Sequence, residues 1–161
     1  VTIADSAAAF RALMGRYATG VAVVATASPQ GPRGMTANSL TSVSLSPALL
    51  LFCASERARI GALVRESRRF SVNILAREQE ALSRQFAGQL PLDRELSWQF
   101  VQGVPTLAQA EAVFVCDLRG EHVAGDHSIF IGEVSVMHDG GSPRPPLVFY
   151  QGKYVSVSSP A

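Results

Sequence analysis

The sequence predicts a mainly β fold, an antiparallel barrel with two or three helices packed outside it. Strand-like runs outnumber helical ones, and short turns or single helices join them. No regular βαβ alternation appears, which argues against a parallel sheet. Strands this apolar also need their edges hidden from other chains, and closing the sheet does that. The expectation is one domain over residues 1–161.

The elements follow in order. Phe10, Leu13, Met14 and Tyr17 fall at helical spacing behind Ser6, a plausible N-cap, and Gly15 or Gly20 can end the helix. GVAVVATASPQGPRGM reads as a strand, a turn on Pro29, Gly31 and Pro32, and a second strand. Leu49 to Ala54 form a third strand. ARIGALVRES is a short helix, and in RRFSVNILA the alternation of Phe70, Val72 and Ile74 marks a fourth strand. REQEALSRQFA, Arg77 to Ala87, is another helix. GQLPLDRELSWQFVQGVPTL reads as a loop with at most a turn of helix. EAVFVCDLRGEHVAG and HSIFIGEVSVMHDG form a wide hairpin, and PRPPLVFYQGKY holds a short strand from Leu147 to Tyr150 and a turn at Gly152.

Composition narrows the function. Hydrophobic residues make up 47% and charged residues 17%, so a large core is affordable and the surface is poor in charge. Such a surface favours self-association. A formal net charge of +1 supplies no basic field for nucleic acid. The apolar runs are too short to span a membrane, and no signal pattern opens the chain. The two cysteines, Cys53 and Cys116, sit inside apolar strands and outside any CxxC, as buried free thiols do. A soluble, reduced, cytoplasmic protein is expected.

Four stretches can carry chemistry. GMTANSLTSVSL, Gly34 to Leu45, crowds Thr36, Asn38, Ser39, Thr41, Ser42 and Ser44 between two apolar strands. Strand alternation places Thr36, Asn38 and Leu40 on one face and Met35, Ala37 and Ser39 on the other, with TSVSL breaking toward a turn. Each buried, unsatisfied group would cost about 1–3 kcal/mol, so the polar wall suits either a ligand rich in donors and acceptors or a solvated strand. CASERARIG, Cys53 to Gly61, ends a strand and starts a helix near Ser55, where free N–H groups with Arg57 or Arg59 suit a phosphate or Ser55 simply caps. In AGDHSIFIG, His127 follows Asp126 after a permissive glycine, poised at a cavity mouth or in a structural Asp–His bond. The aromatic tail LVFYQGKY reads as core. His122, His127 and His138 lack metal-ligand spacing, so no metal site is expected. No GxGxxG, GxxxxGK[ST] or GxSxG is present.

Taken together, FRALMGRYATGVAVVAT, GMTANSLTSVSLSPALLLFCA, FSVNILAREQEALSRQFA, GVPTLAQAEAVFVCDL, AGDHSIFIGEV and PLVFYQGKY resemble the short-chain flavin reductases of two-component flavin monooxygenases, over nearly the whole chain. The resemblance implies a Greek-key split β-barrel of FMN-binding type, usually a homodimer with flavin near the subunit interface. It implies reduction of FAD or FMN by NADH or NADPH, hydride passing from nicotinamide C4 to flavin N5, and release of reduced flavin to a monooxygenase. On that reading Thr36, Ala37, Asn38 and Ser39 wall the isoalloxazine and ribityl chain, and Leu40 offers backbone groups. Thr41 or Ser42 lies towards the phosphate. Cys53, Ala54 and Ser55 line the same pocket, and Arg59 is the phosphate counter-charge. Phe86 and Ala87 fall near flavin or nicotinamide, and His127 sits by the nicotinamide as a positioning group. Arg16, Arg33 and Arg84 are candidate readers of an NADPH 2′-phosphate. The rivals are a split barrel that keeps FMN and reduces another acceptor, and a non-catalytic flavin carrier or sensor.

Overall fold

A computed structural model describes residues 7–92, 96–142 and 144–157; the expected Ser6 cap lies outside them. The chain opens with α1 (Ala7–Met14), ended at Gly15, whose N–H donates to the carbonyl of Arg11 at 2.8 Å. No α1 residue is buried. Then come β1 (Thr19–Gly20), β2 (Ala22–Thr26), β3 (Arg33–Ala37), β4 (Thr41–Leu45) and β5 (Ala48–Ser55). They are followed by α2 (Arg59–Ser67), β6 (Arg69–Ile74), a 3-10 turn (Arg77–Gln79) and α3 (Glu80–Phe86). The hairpin β7 (Trp98–Val101) and β8 (Val104–Leu107), the long pair β9 (Ala112–Ala124) and β10 (His127–Asp139), and β11 (Val148–Tyr150) with β12 (Lys153–Val155) complete the fold.

Seven strands form one antiparallel sheet in the order β3-β2-β6-β9-β10-β5-β4. β3 and β4 are consecutive in the chain yet occupy opposite edges. Six inter-strand spacings would separate the edges of a flat sheet by about 29 Å. The link from Ala37 to Thr41 spans at most about 15 Å. The sheet must therefore curl until its edges nearly meet. They do not pair with each other, which leaves the barrel split at one seam.

The seam corrects three sequence expectations. The polar stretch is two strands rather than one, broken at Asn38–Leu40, and TSVSL is the edge strand β4 rather than a turn. Helix α2 starts at Arg59 behind Ala58, not near Ser55, which is the last residue of β5. WQFVQGVPTL is a hairpin, turned on Gln102 (φ 50°) and Gly103 (φ 81°). A Gln-Gly turn is a weaker signal than Asn-Gly, and Pro105 argues against a strand except at an edge, where β8 lies.

All five residues of β2 are buried because each face meets a different core. Ala22 and Val24 face inward with Phe52, Phe70, Val72 and Phe130, and α2 closes that end with Ile60 and Val64. Phe52 stacks on Phe130 at 5.0 Å and meets Phe70 edge-on at 5.1 Å. Val21 and Val23 face outward into a second cluster with Leu75, Leu107, Val113 and Leu147, roofed by Phe86, Trp98, Phe149 and Tyr154. That roof covers the β2-β6-β9 half of the outer face. Over β10 and β5 no described residue continues it: Leu51, Cys53, Ile129 and Ile131, opposite in register and pointing away from the inner core, are only half-buried.

Candidate functional site

The site begins at the seam. A cleft of about 770 Å³ opens there, lined by Asn38, Ser39, Leu40 and Thr41, the main chain around Thr19–Ala22, and Phe10, Arg11, Met14 and Tyr17 of and just after α1. Because the chain is crossing between sheet edges, no hydrogen bond takes up the main-chain N–H or C=O of Asn38, Ser39 or Leu40 among the described residues. The Asn38 amide is exposed and likewise unpaired among them. Half-exposed and unpaired, this strip sets free donors and acceptors beside an apolar wall, the kind of lining small-molecule sites have. The Thr19 hydroxyl on the same cleft is buried without a partner among the described residues.

The Ser39 hydroxyl holds the strip in place. It accepts from the Cys53 N–H at 2.9 Å and donates to the Cys53 carbonyl at 3.3 Å. Those two groups point towards β4, whose ladder stops at Thr41 opposite Leu51. The side chain thus substitutes for the main chain that the ladder would otherwise have used. Leu40 anchors the other side by packing on the inner core.

Other residues of the polar stretch look elsewhere. Thr36 faces α3, donating to the Ser83 carbonyl at 2.6 Å, while the buried Ser83 hydroxyl meets the Tyr154 hydroxyl at 2.7 Å. It does not share a face with Asn38, as unbroken alternation would require. Ala37 is 7% exposed and belongs to the inner core. Ser42 is exposed on β4 opposite Leu50. Phe86 meets Trp98 edge-on at 5.7 Å and packs over Gly34, whose missing Cβ leaves it room; neither Phe86 nor the exposed Ala87 lines the cleft.

A second group adjoins the cleft on the outer face. Cys53 and Ser55 alternate outward along β5, while Ala54 between them points into the core at 2% exposure. The β5–β10 register sets His127 directly opposite Ser55. The β9–β10 turn uses Gly125 (φ 66°), and the Glu56 N–H donates to the Asp126 carbonyl at 3.0 Å, tying the hairpin tip to the β5–α2 turn. His127 Nδ1 lies 2.7 Å from Asp126 Oδ1. That hydrogen bond, then the charge of His127 and more remotely that of Arg11, hold the Asp126 carboxyl below its ordinary range. Arg11 lines the cleft, so α1 links the cleft to the histidine tip.

The cations divide cleanly. Arg65, Arg69, Arg84, Arg119 and Arg144 are committed to carboxylates. Arg84 also lies over the Tyr154 ring, and Arg33 donates to its own loop carbonyls. Arg11, Arg16, Arg57 and Arg59, like Arg77 and Lys153 elsewhere, have no hydrogen-bonded side-chain partner among the described residues. Three of these flank the β5–α2 turn and the histidine tip. Ala58 gives α2 no side-chain cap; the Gly61 N–H turns back onto the Ala58 carbonyl at 3.3 Å, which leaves the N–H groups of Arg59 and Ile60 open among the described residues. No group of three or more His, Cys, Asp or Glu side chains is placed to hold a metal among the described residues, and no helix there is long and apolar enough to cross a membrane.

Sequence reasoning missed α1 and β1 as cleft walls. The helical spacing of Phe10, Leu13, Met14 and Tyr17 was visible, but an amphipathic stripe ordinarily means core, and here that stripe stays exposed.

Residues 14–158 match the family described as "Flavin reductase like domain". An NADH-dependent flavin reductase of Rhodococcus sp is 38% identical over 151 residues, covering 91% of this chain and 84% of the relative. The reductase component of 4-hydroxyphenylacetate 3-monooxygenase of Thermus thermophilus is 37% identical, covering 91% of this chain and 93% of its own. The structure of the NADH:FAD oxidoreductase SgcE6 of Streptomyces globisporus C-1027, in complex with NAD and FAD fragments, superposes with a TM-score of 0.89 at 32% identity, over 98% of both chains. With a match over most of its length and a split barrel of the same shape, this chain belongs to the flavin reductase like family.

Proposed function

We propose that this chain, as a single domain over residues 1–161, is an NADH-dependent flavin reductase whose reduced flavin leaves to a partner monooxygenase. The observation that carries the reading is the unpaired strip Asn38–Leu40, with the free Asn38 amide, on a cleft of about 770 Å³ in a chain of this family. That volume lies within the range of about 300–1,000 Å³ usual for small-molecule sites. The apolar α1 side suits a planar ring, the strip offers donors and acceptors to its heteroatoms, and free arginines suit a nucleotide's phosphates.

Hydride transfer from a dihydronicotinamide to an isoalloxazine is chemistry that the two nucleotides themselves supply. The protein's part is positional. Asn38, the main chain of Ser39 and Leu40, and Thr41 orient the flavin edge. Arg57 and Arg59 attract the phosphates at the open N-terminus of α2. His127, held by Asp126, orients the nicotinamide at the hairpin tip. Stacking two rings at near-attack distance, about 3–3.5 Å, is the main source of rate. Thr36, Ala37 and Phe86 support the walls from behind, and Ala87 ends the helix that carries Phe86.

The cleft is open and lacks a buried charged clamp, so flavin behaves as a dissociable substrate, FMN or FAD. A Kd near ~1 μM corresponds to about −8 kcal/mol. The unroofed outer face of β10 and β5 supports a homodimer. The test is steady-state oxidation of NADH and NADPH with FMN, FAD and riboflavin after extensive dialysis. Turnover of added flavin by colourless protein is expected. Protein that keeps stoichiometric flavin and reduces none that is added would overturn the reading.

A further inference from the structure

One cluster beside the site has no part in the chemistry above. Ser128, 1% exposed, donates to Glu56 Oε1 at 2.5 Å. Arg65 forks onto Glu121, with Nε at 2.8 and 3.0 Å from its two oxygens, reaches Ser128 Oγ at 3.3 Å, and lies 3.7 Å from Glu56 Oε2. Its guanidinium also covers the Phe130 ring at 5.4 Å. The cluster therefore draws on the β5–α2 turn, α2, β9 and β10, and it adjoins His127 in sequence. The hydrogen bond from Arg65 holds Glu121 below its ordinary range, so it remains an ionised partner for that arginine.

The position of Glu56 gives the cluster its meaning. It immediately precedes Arg57 and lies three residues before Arg59, on a turn where its carboxylate would be a natural partner for either. Instead its N–H is fixed to the Asp126 carbonyl, and its carboxylate is drawn away by Ser128 and Arg65. Glu121 is occupied as well. Among the described residues, Arg57 and Arg59 are consequently left without an intramolecular counter-charge.

We propose that the Glu56–Ser128–Arg65–Glu121 cluster is a positioning device that sequesters the local carboxylates, keeping the turn of Arg57 and Arg59 available to the phosphate of a flavin nucleotide. None of the four touches the substrate; they act through the turn. The inference rests on the flavin reductase reading and predicts that phosphorylated flavins are preferred to riboflavin.

The experiment compares KM and kcat for FMN and riboflavin, with NADH saturating, in the wild type, Ser128→Ala and Glu56→Gln. Riboflavin has the ring and ribityl chain of FMN without its phosphate. Ser128→Ala releases Glu56 towards the arginines and should raise the FMN KM about tenfold, the effect of losing roughly one charge-assisted contact, with kcat and the riboflavin KM unchanged. Glu56→Gln removes the competing charge but keeps the shape, so its FMN KM should stay within about twofold of wild type. It alters only a partly exposed side chain, so it keeps the comparison available if Ser128→Ala fails to fold: an FMN KM raised tenfold in Glu56→Gln would overturn the proposal. A merely structural cluster would shift both flavins together in Ser128→Ala, with a lower Tm, and that result also overturns it. So does a wild type that uses FMN no better than riboflavin. If the wild type reduces neither flavin, the functional reading itself fails; if it reduces both and the variants keep its KM ratio, only this inference fails.

Discussion

Replacing Ser39 by alanine tests how the cleft is built. The hydroxyl makes both of its hydrogen bonds to one residue, accepting at 2.9 Å from the Cys53 N–H and donating at 3.3 Å to the Cys53 carbonyl. Ser39→Ala strands both main-chain groups on the seam side of β5. An unsatisfied buried group costs about 1–3 kcal/mol. Cys53 is only half-buried, so water offsets part of this, and a total near 2 kcal/mol is expected. For a domain of this size that lowers Tm by roughly 4–8 °C. The functional effect has the same origin. Without its clip the Asn38–Leu40 strip is no longer held at a fixed height above β5, so the flavin KM should rise by about tenfold or more at constant NADH KM. Differential scanning calorimetry with flavin-dependent NADH oxidation measures both. A variant with wild-type Tm and wild-type flavin KM would refute the clip. A lower Tm with an unchanged flavin KM would refute its link to the site.

Asn38→Ala removes an exposed, unpaired amide, so it should raise the flavin KM while shifting Tm by no more than about 1 °C; an unaltered KM moves the ring elsewhere. Cys116 is buried and its thiol is pushed up to about 12, by desolvation first and then by Asp117. It should resist iodoacetamide at pH 8 in the native protein and react once guanidinium unfolds it, which peptide mass spectrometry reads directly. Asp126 titrates below the ordinary aspartate range because of His127, and both side chains are solvent-exposed. A carboxyl whose folded pKa is depressed contributes stability above its unfolded pKa and loses it as pH falls through the folded value, so the effect is confined to acid below about pH 4. Carboxyl NMR should show His127→Ala returning Asp126 upward; no movement would mean the pair is not formed.

Most of the barrel was legible because its strands obey local rules. β9 and β10 carry the period and turn of a hairpin, and Gly125 sits at the positive φ that the turn requires. The polar stretch was legible as a site but not as a geometry. Alternation assumes an unbroken strand, whereas Asn38–Leu40 crosses between two sheet edges, a constraint set by strand order and not by local sequence. For that reason Thr36 faces α3 and not the side that alternation would share with Asn38. The Ser39–Cys53 clip and the Ser128–Glu56 bond join residues 14 and 72 positions apart, and no periodicity encodes such contacts. Helix α1 is a different case: its apolar stripe is plain in the sequence, but the surface it faces is a cleft and not a core.

That exposed stripe and the unroofed half of the sheet lead to the last prediction. A solvated face of an antiparallel sheet ordinarily carries polar side chains, whereas the half of this face that no described residue roofs is apolar. Leu51, Cys53, Ile129 and Ile131 form that bare strip. Burying such side chains completely contributes about 1.5–3 kcal/mol each when fully exposed at the start, and less from a half-buried state. A second copy covering the strip would need to bury about 1,000 Å² or more in total to be stable. Light scattering should show a dimer at micromolar concentration, with a Tm that rises with protein concentration. Ile129→Asp places a carboxylate in the middle of the strip without touching the inner core, where Phe130 points. It should convert the dimer to a folded monomer with weakened flavin turnover, since the strip runs directly into Ser55 and His127. A wild type that is monomeric across the concentration range, or an Ile129→Asp variant that remains dimeric, would refute the assignment.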